Sequence, residues 1–598
     1  MNENQFGSRR RERIILFIVT GFFALVVLNL FNMQIIQQYS YEEKSNENSV
    51  RQTVKNAPRG IFYDRDFNVI LSNKPSFMLQ IIPALYDKEC SKIIENMLGV
   101  DEGYINKILS ETRMYSQYTP RKIKRDVNFQ FIAWFEENAE MLPGVEYVVD
   151  IERDYAFDLS ASHIFGYIKE ISPDQYRKSK GSYDLGDYVG FKGLEKSYEE
   201  LLRGEKGITY TLVDAKQKVI SQYKEGIEDK PPVKGNDLVL SIDSDVQRLA
   251  EKYFIGKRGA FVAIEPVTGE ILAFVSAPEY NLDDFSTVTS QQVWENLSRD
   301  PDKPLFNRAT MSIYSPGSTY KLISALAGLE EGIINTSDYV TCKGGIHFGD
   351  RFFRCLESHG RVNIVRAIEK SCNTYFYTLI QKIGLEKWAE YSRKFGFGSK
   401  TGVDIGEEIP GVVPDAKFYD QYYGKGRWTR GLLLNLGIGQ GELSVTPIQL
   451  AKYAALLANN GRSVVPHFVK GIVYSDLYQF VPINYEKIEV GISQASFDIV
   501  KEGMFKVVNG EGSAQNIKMK NIKIAGKTGT VQNPFGEDHA FFIGFAPFDD
   551  PKIAVAVVVE NVGYGSTHAA PIARNAIVTY MRKLKKSTKS NLASLNRD

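Results

Sequence analysis

A chain of 598 residues, 43% hydrophobic and 24% charged, is a folded protein too long for one ordinary core and too apolar to be disordered. Its 73 Lys and Arg against 72 Asp and Glu leave a net charge of +1. That balance argues against nucleic acid as the main partner, because phosphate binding rests on surplus basic charge.

In chain order, the first predicted element is an apolar run over residues 14–36, IILFIVTGFFALVVLNLFNMQII, with no charged residue. At ~1.5 Å per residue it is long enough to cross a hydrocarbon core of ~30 Å. Arg9, Arg10, Arg11 and Arg13 precede it, so the positive-inside rule leaves residues 1–13 in the cytoplasm. A cleaved signal peptide would have a shorter apolar stretch and an A-x-A site; here the run passes into Gln34, Gln37 and Gln38, and an uncleaved anchor is expected. All later chemistry then faces the exterior.

Residues 39–55 are polar and read as a helical stalk, and 56–65 (NAPRGIFYDR) as a turn followed by a short strand. Charged periodic stretches over 87–140 suit surface helices, while 151–219 alternates short strands with glycine turns. No catalytic constellation appears in 37–240, which reads as a non-catalytic pedestal. After the linker PPVKGN, residues 241–585 form the second domain. It opens with a strand and a helix capped by Asp243 or Ser244. GAFVAIEPVTGEILAFVS predicts a hairpin, and HAFFIGFAP and KIAVAVVVEN predict two late strands. Strands at both ends with helices between predict an α+β layer, a mostly antiparallel sheet closed by its first and last segments. The basic tail from about Lys583, with 586–598 as a separate polar segment, reads as disordered.

The chemistry begins at Ser315-Pro316-Gly317-Ser318-Thr319-Tyr320-Lys321. A turn at Pro316-Gly317 puts Ser318 in the first turn of a helix, with Lys321 one turn on along the same face. A serine hydroxyl is a weak nucleophile unless a base takes its proton. Lysine can do so only if burial or nearby positive charge lowers its pKa from ~10.4. A single S-x-x-K is weak evidence, since roughly two or three occur by chance in such a chain. Two further elements follow in order. Ser371-Cys372-Asn373 falls at an interruption between helices, and Lys527-Thr528-Gly529-Thr530 follows the strand-like NIKIA, with Gly529 allowing a substrate backbone to pass close to the strand.

S-x-x-K, S-x-N and K-T-G in this order identify the chain as resembling the class B penicillin-binding proteins. The resemblance covers nearly the whole length. APRGIFYDRDFNVI and GFKGLEKSYEELLRG resemble the family's pedestal; EPVTGEILAFVSAPEYNLDDF, NRATMSIYSPGSTYK, GIGQGELSVTPIQLA and HAFFIGFAP resemble its transpeptidase domain. The last points to the elongation branch over the division branch. The resemblance implies that Ser318 attacks the D-Ala–D-Ala carbonyl of a peptidoglycan stem peptide, that β-lactams acylate it, and that Lys321 takes its proton. Ser371 and Asn373 then relay protons and position the substrate, and Lys527 and Thr528 hold its terminal carboxylate. The backbone N–H groups of Ser318 and Thr530 form the oxyanion hole. It also implies a SEDS-family glycan polymerase of the RodA type as partner. Rival readings are an acyl-serine hydrolase (a D,D-carboxypeptidase or β-lactamase), set apart by rapid deacylation, and a β-lactam sensor. The pedestal shows no acidic pattern for a second, glycosyltransferase activity.

Of the four cysteines, three surround one histidine: Cys342, Cys355, His359 and Cys372, spaced C-x12-C-x3-H-x12-C. Three thiolates and an imidazole suit a structural zinc ion, although the spacing matches no standard finger. Some relatives on the elongation branch carry a metal site here built from Asp, His and Cys; Cys342 and Cys355 stand where those have aspartates. A Cys342–Cys355 disulfide and plain buried thiols are the alternatives. His347 is a spare ligand candidate, and Cys90 reads as a buried hydrophobe. The chemistry itself requires no cofactor.

Overall fold

The computed structural model describes residues 9–36, 50–111, 117–155, 158–184, 186–214, 219–286, 289–533 and 536–595. The chain divides into two compact units that do not follow chain order. One is Met1–Pro58, Ser76–Asp150 and Glu205–Val233; the other is Arg59–Pro75, Ile151–Gly204 and Lys234–Asp598.

The first unit begins with the helix Arg9–Phe31, and the stretch Arg11–Ile36 is long and apolar enough to cross a membrane, with none of it buried against protein. The strand Val50–Lys55 pairs antiparallel with Gly207–Val213, which in turn pairs with Val219–Gln222. This corrects the helical stalk expected over 39–55: its last six residues are a strand, and residues 37–49 lie outside the described residues. VRQTVK holds three β-branched residues, Val50, Thr53 and Val54, and a partner more than 150 positions away supplies the ladder that local sequence cannot show. The surface helices expected over 87–140 are Ser91–Leu98, Tyr104–Glu111 and Phe129–Asn138. Their apolar faces close a small core around Leu79, Ile94, Ile105, Phe131 and Phe135.

The second unit is built on a five-stranded antiparallel sheet. Its strands are β1 (Gly259–Ile264), β2 (Ile271–Ala277), β3 (Ala525–Val531), β4 (His539–Ala546) and β5 (Ile553–Val559). The spatial order is β2-β1-β5-β4-β3, so the first hairpin and the last segments close against each other through β1 and β5, as the sequence predicts. Every residue of β1, β2 and β5 is buried, so both faces of the sheet are covered. The helices packed on it are α1 (Ser244–Phe254), α2 (Pro447–Ala458) and α3 (Ala570–Leu595). Asp243 caps α1 by accepting from the Asp245 and Val246 N–H groups. α2 is buried on all sides and starts with a capping box between Thr446 and Gln449, with Pro447 at its first position.

α3 corrects the expectation of a disordered tail: helix continues to Leu595, and only 596–598 fall outside the described residues. After Pro571 the segment holds no glycine or proline to stop it. Lys583 is moreover tied to Asp66 and, at 3.0 Å, to Asp243.

Two motifs assigned to the pedestal meet in this second unit. Arg59 of APRG bonds Glu195 at 2.7 Å and also Glu199, both from GFKGLEKSYEELLRG, while the fully buried Arg153 donates to the other Glu195 oxygen at 2.7 Å. Buried charges are tolerable only when paired in this way.

Candidate active site

The sequence Tyr314–Lys321 forms a turn and then a short 3-10 segment, Gly317–Tyr320, that runs into the helix Lys321–Glu330. Gly317 has φ +57°, and a Cβ there would lie 2.8 Å from Val531 of β3. At Gly529 of β3 a Cβ would meet Pro316 O and Thr319 at 3.2 Å. The two glycines therefore let the serine-bearing turn lie directly on β3. Ser318 is half-buried there, beside the strand. The K-T-G-T residues lie within β3 itself, not after it, and β3 is an edge strand with one side unpaired in the sheet. An unpaired edge can accept an extended peptide as an added strand.

Ser371 sits between the helix Ile364–Glu369 and the helix Asn373–Ile383, the predicted interruption. Its φ is +54°, a left-handed conformation that costs a serine about 1–2 kcal/mol and that its surroundings must enforce. The enforcing bonds are local. Ser371 N–H donates to Ile368 O, Cys372 N–H to Ala367 O at 2.9 Å, and Asn373 N–H to Cys355 Sγ at 3.1 Å.

Side chains from the three motifs converge on one point. Lys321, with no solvent exposure, donates from Nζ to Ser371 O at 2.8 Å, Ser371 Oγ at 3.1 Å and Asn373 Oδ1 at 2.5 Å. Lys527, also fully buried, donates to Ser371 Oγ and Thr528 O, each at 3.0 Å. Two ammonium groups thus share one hydroxyl in a dry pocket. Burial pushes the Lys321 pKa down to about 8, against a partial opposing pull from Cys355 and Cys372. Burial and then the Lys321 charge push Lys527 well below its ordinary range. The pair therefore gives up a proton far more easily than free lysines do.

The cysteine cluster adjoins this point. Cys342, Cys355, His359 and Cys372 bring their ligand atoms within 4.8 Å of one another. Cys342 Sγ and Cys355 Sγ lie 3.6 and 3.5 Å from His359 Nδ1, and Cys355 Sγ lies 4.0 Å from Cys372 Sγ. All the cysteines are free thiols, so the disulfide alternative does not hold. Bond lengths of ~2.3 Å to sulfur and ~2.0–2.1 Å to nitrogen give tetrahedral edges of roughly 3.5–3.8 Å, near the three separations above, and three thiols with one imidazole are donor types that zinc takes. Cys355 is held low in pKa by the Cys372 thiol's hydrogen bond and by backbone N–H groups at the start of the helix Asn373–Ile383. His347 packs tilted against Phe352 and stands outside the cluster, and Cys90, in the other compact unit, is half-buried rather than the buried hydrophobe expected.

Two side chains that no motif singled out lie beside the S-x-N and K-T-G residues. Glu369, buried at the end of the helix before Ser371, accepts from Glu511 N–H at 2.7 Å, and Ser513 Oγ lies 2.5 Å from Thr528 Oγ1. Neither stands at a recognisable spacing from S-x-x-K or K-T-G; only the fold brings them there.

Residues 259–578 match the penicillin-binding protein transpeptidase domain, and residues 54–240 match the penicillin-binding protein dimerisation domain. The peptidoglycan D,D-transpeptidase MrdA of Acinetobacter baumannii is 32% identical over 97% of this chain and 89% of its own. The penicillin-binding protein PBP2 of Helicobacter pylori, solved in complex with MreC, aligns with a TM-score of 0.74 at 27% identity, covering 89% of this chain and 99% of that one. A chain from a structure described as the coordination of polymerization and crosslinking by a peptidoglycan synthase complex aligns with a TM-score of 0.73 at 27% identity, over 96% and 98% of the two chains.

Proposed function

The chain belongs to the penicillin-binding protein transpeptidase family, as a peptidoglycan D,D-transpeptidase of the elongation branch, and on that premise we propose that Ser318 is its nucleophile and Lys321 its base. The observation that carries this division is the buried Lys321 Nζ, one helical turn from Ser318 and bonded to Ser371 and Asn373. As an ammonium its three protons serve Ser371 O, Ser371 Oγ and Asn373 Oδ1. Once neutral, it keeps two donors and turns a lone pair toward the hydroxyls.

A stem peptide ending in D-Ala–D-Ala lies along the open edge of β3, with its carboxylate toward Lys527 and Thr528. Ser318 Oγ attacks the carbonyl as its proton passes to Lys321. The oxyanion forms between the Ser318 and Thr530 backbone N–H groups, where fixed donors in a dry site lower the barrier most. Ser371 passes the proton to the departing D-Ala amine, which leaves an acyl-serine. The amine of a second stem peptide then takes the acyl group and completes the cross-link. β-Lactams enter the same path and stop at the acyl-serine.

The pH profile tests the base. Only neutral Lys321 accepts the proton, so acylation by a penicillin should rise about tenfold per pH unit below its pKa of about 8 and level off above it. A flat rate constant from about pH 6 to pH 9 contradicts this role.

Cys342, Cys355, His359 and Cys372 would hold a zinc ion, whose four protein ligands leave no open position for substrate, so its contribution is structural. Through the Asn373 N–H bond to Cys355, such a clamp fixes the left-handed Ser371. Protein purified without chelator should carry about one zinc per chain, and Cys355→Ser should lose it on dialysis and melt several degrees lower. Metal-free wild type with an unchanged melting temperature contradicts the assignment.

The arginines before the apolar helix support an N-terminus in the cytoplasm and a catalytic unit outside it. The synthase-complex relative supports a multipass SEDS-family (RodA-type) polymerase as partner, and the MreC complex supports the elongation machinery as its setting.

A further inference from the structure

Ser513 is exposed on a turn over residues 510–514, yet the turn is pinned on both sides of it. Before it, Glu511 N–H donates to Glu369 at 2.7 Å and Glu511 O accepts from Lys370 Nζ at 2.8 Å. Arg366 bridges the Glu369 and Glu511 carboxylates at 2.8 and 2.7 Å. After it, Ala514 N–H donates to Val507 O at 3.1 Å. A Cβ at Gly512 would come within 2.4 Å of Val507 Cα and 2.9 Å of Glu369 O, so the turn is seated directly on these helices. Its one exposed hydroxyl is held 2.5 Å from Thr528 Oγ1.

Two hydroxyls that share one hydrogen bond use one of their two protons in it. The other O–H remains free to donate, and Lys527 lies at the next position of the same strand. From this geometry we infer that Ser513 is a positioning residue for the terminal carboxylate of the stem peptide: it fixes the Thr528 hydroxyl so that the pair presents one donor to the carboxylate. This rests on the transpeptidase reading. Without Ser513, the Thr528 hydroxyl is a free rotor and must be ordered when substrate binds. The pinned turn also explains why Glu369, in the helix leading to Ser371, is buried against it: one carboxylate ties the S-x-N helix to the turn that steadies K-T-G.

The test uses the full chain in detergent with two substrates, a D-Ala–D-Ala thioester analogue ending in a carboxylate and its carboxamide counterpart. Ser513→Ala should raise KM for the carboxylate substrate about tenfold, the worth of one hydrogen bond to a charged group, with kcat nearly unchanged. Carboxamide kinetics should stay at the wild-type level, and Ser513→Thr should restore the carboxylate KM. An unchanged KM, or an equal loss on both substrates, overturns the inference. Fluorescent-penicillin labelling of the same preparations separates the two levels. Labelled wild type with an unchanged carboxylate KM in Ser513→Ala overturns this inference alone, whereas unlabelled wild type overturns the transpeptidase reading and the inference with it.

Discussion

Replacing Ser318 with alanine should abolish covalent labelling by penicillin and lower cross-linking on the order of 10^4-fold or more, because no acyl-enzyme can form without the nucleophile. The variant should fold normally. Ser318 is half-buried at the start of a helix whose remaining residues make the core contacts, and alanine favours helix. It should also still bind stem peptide, since the carboxylate contacts proposed for Lys527 and Thr528 do not involve Ser318. A gel assay with fluorescent penicillin, beside a melting curve, reads both parts. Labelling at the wild-type level would mean that another residue carries the acyl group.

The second large effect belongs to Lys321. Lys321→Ala should slow acylation by roughly 10^2–10^4-fold, the range for a lost general base. Two causes act together, since Asn373 Oδ1 and Ser371 O also lose their donor in a buried site. Lys321→Arg separates them. Arginine restores positive charge and donors but cannot give up its proton, having a pKa above ~12. If Lys321 is the base, the arginine variant should be as slow as the alanine one. Recovery to within about tenfold of wild type would instead make Lys321 an electrostatic anchor and move the base to another group.

Much of this arrangement is legible in the chain. The strand runs GAFVAI, ILAFVSA, HAFFIGFA and IAVAVVV are apolar but for Ser276 and His539 because helices cover both faces of their sheet, and such runs announce themselves. The motifs carry their own punctuation: Pro316-Gly317 makes the turn that leads into Ser318, and Asn373 opens a helix after the break at Ser371. The cysteine cluster is visible as one spacing pattern.

What the sequence hides depends on partners far along the chain. Val50–Lys55 becomes a strand only because Gly207–Val213 pairs with it. Ser513 gains its meaning from Thr528 across a turn pinned by Glu369, and no local periodicity marks either. The tail is a different case. Its lysines and serines suggest disorder, but the segment after Pro571 has no helix breaker, and Lys583 finds carboxylates on Asp66 and Asp243. The role of Gly529 also sharpens. Its missing side chain lets β3 lie against the Ser318 turn, so the serine and the K-T-G strand are placed by the same contact.

The most direct measurement is peptide mapping of the full chain after reaction with a penicillin, with the lifetime of the adduct followed by intact mass. The account predicts one penicilloyl group, on the peptide containing Ser318, persisting long after free drug is removed because water is a poor acceptor in this site. An adduct on another residue, no adduct at all, or rapid hydrolysis that returns free enzyme would contradict it.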